Sequence, residues 1–164
     1  MNWLFKDNIN TDLITPGRYN ITTDPEKLAS IAFIEYRPEF HSGVKKGDFI
    51  IAGENFGCGS SRETAVISLK HCGIRAVLAK SFARIFFRNS LNIGLLLVAV
   101  DTDGIGENDE LVLDIKNQVL INKTKKNSKK ISVPSMMLRL NREGGIIPYL
   151  VSHGLKSLSD LEGF

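Results

Sequence analysis

The sequence predicts an α/β domain whose sheet is at least partly parallel and carries helices on a face. Between residues 49 and 100, short apolar runs alternate with segments of helical spacing, giving strand, helix, strand, helix, strand. Residues 110–133 read instead as short strands joined by polar turns, which raises the strand count in the second half. At 164 residues and 43% hydrophobic content the chain is large enough for one core, so a single domain over 1–164 is expected.

The elements follow in order. Trp3-Leu4-Phe5 opens a strand, and the run of turn formers at 6–12 takes the backbone out of the sheet as a polar loop. After the Pro16-Gly17 turn a helix starts at Pro25, the residue type suited to a first helical position, with Asp24 as its N-cap and Leu28, Ile31, Ala32 and Ile34 toward the core. Residues 37–40 break that helix. Phe49-Ile50-Ile51-Ala52 is apolar and short enough for a buried strand. Ala65, Val66, Leu69 and Cys72 then line one face of a helix over 61–72, stopped by Gly73. A strand at 75–79 leads to a helix capped by Ser81, with Phe82, Ile85 and Phe86 as its apolar residues, and 95–100 forms the next strand. Strands are expected at 110–115, 119–122 and 129–133. Pro134 opens a final helical region whose apolar positions, from Met136 to Val151, are interrupted by Gly144-Gly145.

Composition removes several function classes. Cys58 and Cys72 stand apart, and the three histidines, His41, His71 and His153, are scattered, so no metal-ligand set can be assembled. The first residues lack the pattern of a signal peptide and no apolar run reaches membrane-spanning length, so a cytoplasmic protein without membrane contact is expected. The net charge of +3 is modest, and the basic cluster at 123–130 has no interleaved aromatics. It reads as a solvated hairpin tip, not a nucleic-acid surface.

The chemistry concentrates in Gly57-Cys58-Gly59-Ser60-Ser61-Arg62-Glu63. Alternate glycines permit positive φ and close backbone approach, while Ser60 and Glu63 stand at capping-box spacing, so a helix is expected to start here. Ser60, Ser61 and Arg62 would then add two hydroxyls and a forked cation to the amide groups of a helix N-terminus, which outlines a carboxylate site. A tight turn with a good cap accounts for the same spacing. Arg62, however, works against the helix dipole and asks for an anionic partner, be it a neighbouring acid or a ligand. Cys58 between its glycines reads as a small filler, and Arg84 and Arg88, four residues apart, as a pair that needs an acid or a partner surface.

These residues also carry a resemblance. The run from Gly53 to Glu63, with Ser81-Phe82-Ala83-Arg84-Ile85-Phe86-Phe87-Arg88-Asn89 and Asn92-Ile93-Gly94, resembles the swivelling domain of the aconitase superfamily. More narrowly, the whole chain resembles separate small subunits of the 3-isopropylmalate dehydratase and archaeal homoaconitase type. Asn8-Ile9-Asn10-Thr11-Asp12, Pro16-Gly17-Arg18-Tyr19 and Glu143-Gly144-Gly145 extend the match, and 116–130 is its least family-like part. The resemblance implies a three-layer β/β/α fold. It further implies a hydro-lyase half that binds no cofactor itself and works with a large subunit carrying a [4Fe-4S] cluster, in a heterodimer or heterotetramer.

By the same resemblance Ser60 is the catalytic base, Arg62 grips a substrate carboxylate, and Ser61 adds a hydrogen bond. Tyr19, Asn20, Ile21 and Thr22 form the loop that selects the substrate, where relatives that prefer an extra carboxylate tend to carry an arginine. Ile21 suits an isopropyl group, although it would equally serve to pack under the loop, and Arg18 just upstream keeps homoaconitate open. The implied reaction is isomerisation of 2-isopropylmalate and 3-isopropylmalate in leucine biosynthesis. The alternatives are a homoaconitase small subunit and a non-catalytic carboxylate-binding module.

Overall fold

In a computed structural model, residues 1–161 are described; the last three residues of the domain expected over 1–164 lie outside the described residues. Four parallel strands, β1 (Asn2–Leu4), β2 (Phe49–Ala52), β3 (Ala76–Ala79) and β4 (Leu97–Ala99), stand side by side in chain order. Each is short and apolar; β2 and β3 are buried at every position, as strands covered on both faces must be.

Helix α4 (Glu63–His71) connects β2 to β3, and α5 (Arg84–Ile93) connects β3 to β4. Because the strands succeed one another in a single direction, right-handed crossovers put both helices on one face, where they touch. The sheet is therefore singly covered by helices. A second, antiparallel sheet of β5 (Leu111–Asp114), β6 (Val119–Asn122) and β7 (Asn127–Lys130) sends Leu113 and Leu120 into the same core as the parallel strands. Helices, parallel sheet and small sheet are the components of the β/β/α arrangement expected above. The basic cluster forms the β6–β7 hairpin and its turn.

The N-terminal half supplies shorter elements: α1 (Thr11–Ile14), α2 (Pro25–Ser30) and α3 (Glu39–Gly43). Asp24 caps α2 as anticipated, accepting from the amides of Glu26 and Lys27, but the helix ends at Ser30 and the chain continues through turns. Leu28 and Ala32 are nonetheless fully buried. Sequence periodicity missed α1 and α3, single turns too short to display a face. Asn10 caps α1 by accepting from the Leu13 amide, so a stretch rich in turn formers contains a helix start.

Edge strand β1 is fixed by aromatic packing and one acid. Trp3 meets Phe40 edge to face at 4.8 Å, and each such buried aromatic contributes roughly 1.5–3 kcal/mol. Burial alone would push the Asp48 carboxyl upward. Hydrogen bonds from the Met1 amino group, the Lys45 amide and the Trp3 indole, at 2.8, 2.9 and 3.0 Å, outweigh that and hold it below the usual carboxylate range.

At the other end, α6 (Ser135–Glu143), α7 (Ile146–His153) and a 3-10 helix (Leu155–Asp160) follow the small sheet. Gly94, which ends α5, lies against the Gly144–Gly145 turn; a Cβ on Gly94 would stand 2.6 Å from the Gly145 nitrogen, and one on Gly145 2.3 Å from the Asn92 carbonyl oxygen. Backbone contact of this closeness accounts for both glycine motifs. Lys70 closes the junction by donating to the carbonyls of Ile93 and Gly144 at the ends of α5 and α6, and its burial pushes the amine pKa down.

Candidate active site

All the loops that carry the motif residues leave the carboxyl ends of the parallel strands, the edge at which open α/β sheets assemble ligand sites. The loop after β2 runs alongside the one after β1, in the same direction. Gly57 donates its amide to the Ile9 carbonyl at 2.7 Å, Thr11 donates to the Cys58 carbonyl at 2.9 Å, and Asn10 and Cys58 form an isolated parallel bridge. Cys58 thus serves as backbone tether. Phe86 of α5 supports the loop from below: a Cβ on Gly57, whose φ is +79°, would fall 2.1 Å from the Phe86 ring.

The capping box does not form. α4 starts at Glu63 with Arg62 in the N-cap position and no side-chain cap bond, which leaves Ser60 outside the helix in a bend of the loop. The reason is the tether to residues 9–11, which fixes the preceding backbone away from the helix axis. Ser60 meets a different hydroxyl, with Thr11 Oγ1 3.3 Å from its Oγ and 3.3 Å from its carbonyl oxygen. Ser61 accepts at its carbonyl from Asn89 Nδ2 at 3.1 Å, which ties the loop to α5. Both serines face solvent. Ser81, expected to cap α5, instead accepts from the Asn55 amide at 2.8 Å, and α5 begins three residues later at Arg84.

Arg62 has the anionic partner its position demanded: its Nη1 is hydrogen-bonded to the Asp12 carboxylate. The pair is only partly covered, with 33% of the arginine side chain and 57% of the aspartate exposed. A Cβ on Gly17 would lie 3.5 and 3.6 Å from the two terminal guanidinium nitrogens, so the Pro-Gly turn packs directly on this pair. The 19–22 loop is tied to α4 by Asn20 Nδ2, which donates to Thr64 Oγ1 at 2.9 Å, while Asn20 Oδ1 is buried with no hydrogen-bond partner. Thr22 Oγ1 accepts from the Asp24 amide. Ile21 is 88% exposed, which disposes of the alternative that it packs under the loop.

The structure thus draws Ser60, Ser61 and Arg62 together with Asn20 and the turn before Tyr19. It also adds Thr11, Asp12 and Asn89, which sequence reasoning did not assign to the site. Their signal was present, since all three lie inside motif blocks, but a turn-rich stretch and a helix surface give no spacing that points across the chain. Arg18 is engaged elsewhere, bonded to Glu35 and placed over the Tyr19 ring at 5.1 Å. Of the acid or partner surface that Arg84 and Arg88 need, no intramolecular acid is found among the described residues. His153 lies 3.2 Å from Glu143, and His71 3.9 Å from Glu26, both at the surface.

Among the described residues no group of three or more His, Cys, Asp or Glu side chains is placed to hold a metal ion. Cys72 is inert: burial, with a smaller effect from Glu26, pushes its thiol up to about 12. The site residues do not fit an iron-sulfur cluster. What they can do is hold a carboxylate at Arg62 and exchange a proton at Ser60, on a surface open to solvent. No described helix is long and apolar enough to cross a membrane.

Residues 2–103 match the family model for the aconitase C-terminal domain, a span that ends just before the small antiparallel sheet. The chain is 49% identical over 152 residues to 3-isopropylmalate dehydratase small subunit 1 of Archaeoglobus fulgidus, covering 92% of this chain and 94% of that one. It is 46% identical to the methanogen homoaconitase small subunit of Methanocaldococcus jannaschii, over 89% and 86%. The crystal structure of a 3-isopropylmalate dehydratase from M. jannaschii superimposes with a TM-score of 0.89 at 42% identity, over 97% of this chain and 96% of that one. The chain belongs to the aconitase C-terminal domain family, among the separate small subunits that include those of 3-isopropylmalate dehydratase and methanogen homoaconitase.

Proposed function

We propose that this chain is the small subunit of a cytoplasmic 3-isopropylmalate dehydratase, a hydro-lyase that interconverts 2-isopropylmalate and 3-isopropylmalate for leucine biosynthesis. The observation that carries the reading is the open half-site: a solvent-facing Ser60 beside Thr11, and a carboxylate-binding Arg62 poised on Asp12, at the carboxyl edge of the sheet. A proton acceptor works poorly in bulk water, and a surface of this kind becomes a catalytic centre once a second surface closes over it. That second surface would be the large subunit, whose iron-sulfur cluster would supply Lewis acidity toward the leaving hydroxyl.

This chain's own residues hold substrate and move a proton. Arg62 exchanges its bond to Asp12 for a substrate carboxylate, in the planar two-point grip that guanidinium provides. Ser60 Oγ removes the proton from the carbon beside a carboxylate as the hydroxyl leaves the neighbouring carbon, and returns a proton when water adds back with the opposite regiochemistry. Thr11, hydrogen-bonded to Ser60, stabilises the serine oxygen while it lacks its proton. The Asn20 amide oxygen, in the loop tied to α4, is buried without a hydrogen-bond partner.

Homoaconitate is the second reading, because a homoaconitase small subunit stands among the relatives. Three features favour isopropylmalate: loop 19–22 contains no cation, Arg18 is committed to Glu35, and Ile21 is free to meet an alkyl group. The test is anaerobic mixing with cluster-loaded large subunits, assaying isopropylmalate, homoaconitate and citrate in parallel. Turnover of isopropylmalate that requires both chains is the expected result. Preference for homoaconitate would transfer the assignment to the second reading, and carboxylate binding by the chain alone without turnover would make it a binding module.

A further inference from the structure

Helix α5 presents a surface that nothing among the described residues completes. Arg84 and Arg88 lie one turn apart on its outer face, both exposed, and no acid stands in the first turn to meet them. Ile85, between them, is 45% exposed. Beside them lies an open cleft of about 590 Å³, to which Phe82 and Phe87 contribute apolar walls and Lys80 a further cation, itself paired with Asp103. Two like charges on one helical turn repel each other, and an apolar side chain held in water between them gains nothing. The combination is that of an interface waiting for an acidic and apolar counterpart.

The surface is continuous with the catalytic loop. Ile85 stands one turn before Asn89, whose amide holds the Ser61 carbonyl, and Phe86 between them is the residue on which Gly57 rests. A body that closes over Ser60 and Arg62 has this strip at its border. We infer that Arg84, Ile85 and Arg88 of α5 form a docking strip for an acidic, partly apolar surface element of the large subunit. The inference rests on the half-enzyme reading above. The strip fixes assembly, and the substrate does not touch it.

The double variant Arg84→Glu/Arg88→Glu tests this with the complete small subunit and a cluster-loaded large subunit. Association is followed under anaerobic conditions by sedimentation or optical binding, at two salt concentrations, beside kcat and KM. Reversed charges on an exposed face are expected to leave thermal unfolding unchanged, weaken association at least tenfold, and flatten its salt dependence. At saturating large subunit, kcat and substrate KM should stay within about twofold of the parent. Ile85→Ser should weaken association more modestly, with the salt dependence kept. The control Lys126→Glu/Lys130→Glu, which applies the same charge change on the exposed β6–β7 hairpin, should leave affinity unaltered.

Unchanged affinity in the α5 variant overturns the docking strip while leaving the half-enzyme reading intact. A raised substrate KM with unchanged association overturns it in favour of a carboxylate subsite. Equal weakening by the hairpin control reduces the effect to net charge and also overturns it. If the parent chain itself fails to bind a large subunit that activates a related small subunit, both readings fall together.

Discussion

Two loops meet at the candidate site and are held in opposite ways. The loop from Phe56 to Arg62 is clamped by backbone bonds to Ile9 and Thr11, by Asn89 from α5, and by Phe86 beneath Gly57. The 19–22 loop is tied to α4 by the single side-chain bond of Asn20, and its Ile21 stands in solvent. Groups that take part in proton transfer must be placed to within fractions of an ångström, whereas a residue that chooses between an alkyl chain and a carboxylate needs only to be near its end. On the proposed function, the clamped loop is the place for chemistry that does not vary, and the tethered one for a preference that can change without disturbing the fold.

The sharpest test of the clamped loop is Ser60→Ala. Loss of the proton acceptor should lower kcat by about 10²–10⁴ in the reconstituted enzyme, with KM nearly kept because Arg62 still holds the carboxylate. Stability should change by no more than about 0.5 kcal/mol, since the side chain is exposed and its one hydroxyl contact is long. A variant that keeps its rate would remove Ser60 from the chemistry.

Gly57→Ala breaks the clamp itself. The new methyl group meets the Phe86 ring at 2.1 Å in a left-handed backbone, and strain with overpacking should together cost about 2–5 kcal/mol. The melting temperature reports the loss, and the double variant with Phe86→Ala, which removes the colliding Cγ and Cδ2 atoms, should lose less than the sum of the two single variants if the collision is the cause. Strictly additive effects would place the support of the loop elsewhere.

How far each loop was legible before the structure follows from the same contrast. Strand β2 and helix α4 announced themselves through local patterns: four consecutive apolar residues, and Ala65, Val66 and Leu69 on one face. The residue types at the site were also readable, as was the need of Arg62 for an anion. What local pattern suggested wrongly was the cap. Ser60 and Glu63 have the spacing of a capping box, but backbone bonds to residues 9–11 hold the serine away from the helix, and those bonds cross nearly fifty residues of sequence. Asp12, Thr11 and Asn89 were hidden for the same reason.

Arg62 ends the clamped loop and packs against the Pro-Gly turn that leads into the other. Arg62→Lys keeps the charge but loses the planar fork that, on the proposed function, exchanges Asp12 for a substrate carboxylate. Loss of a charged hydrogen bond worth about 1.5–3 kcal/mol should lower kcat/KM about tenfold to hundredfold, chiefly through KM. An unchanged KM would mean that the substrate carboxylate is held by the partner and that the Asp12 pair is purely structural.

The smallest expected effect belongs to the tethered loop. Ile21→Arg places a cation where the chain now offers a bare alkyl group, on a side chain so exposed that unfolding should not register the change beyond about 0.5 kcal/mol. In the assembled enzyme the new guanidinium should favour a substrate with a distal carboxylate and lose apolar contact with an isopropyl group. A shift of about 1.4 kcal/mol, or tenfold, in the ratio of kcat/KM for isopropylmalate and homoaconitate is expected. Stability that holds while the ratio moves would show the two loops to be energetically separate. If instead the ratio stays fixed and the melting temperature falls, Ile21 belongs to the fold, and selection between the two acids must come from the unpaired oxygen of Asn20 or from the large subunit's side of the site.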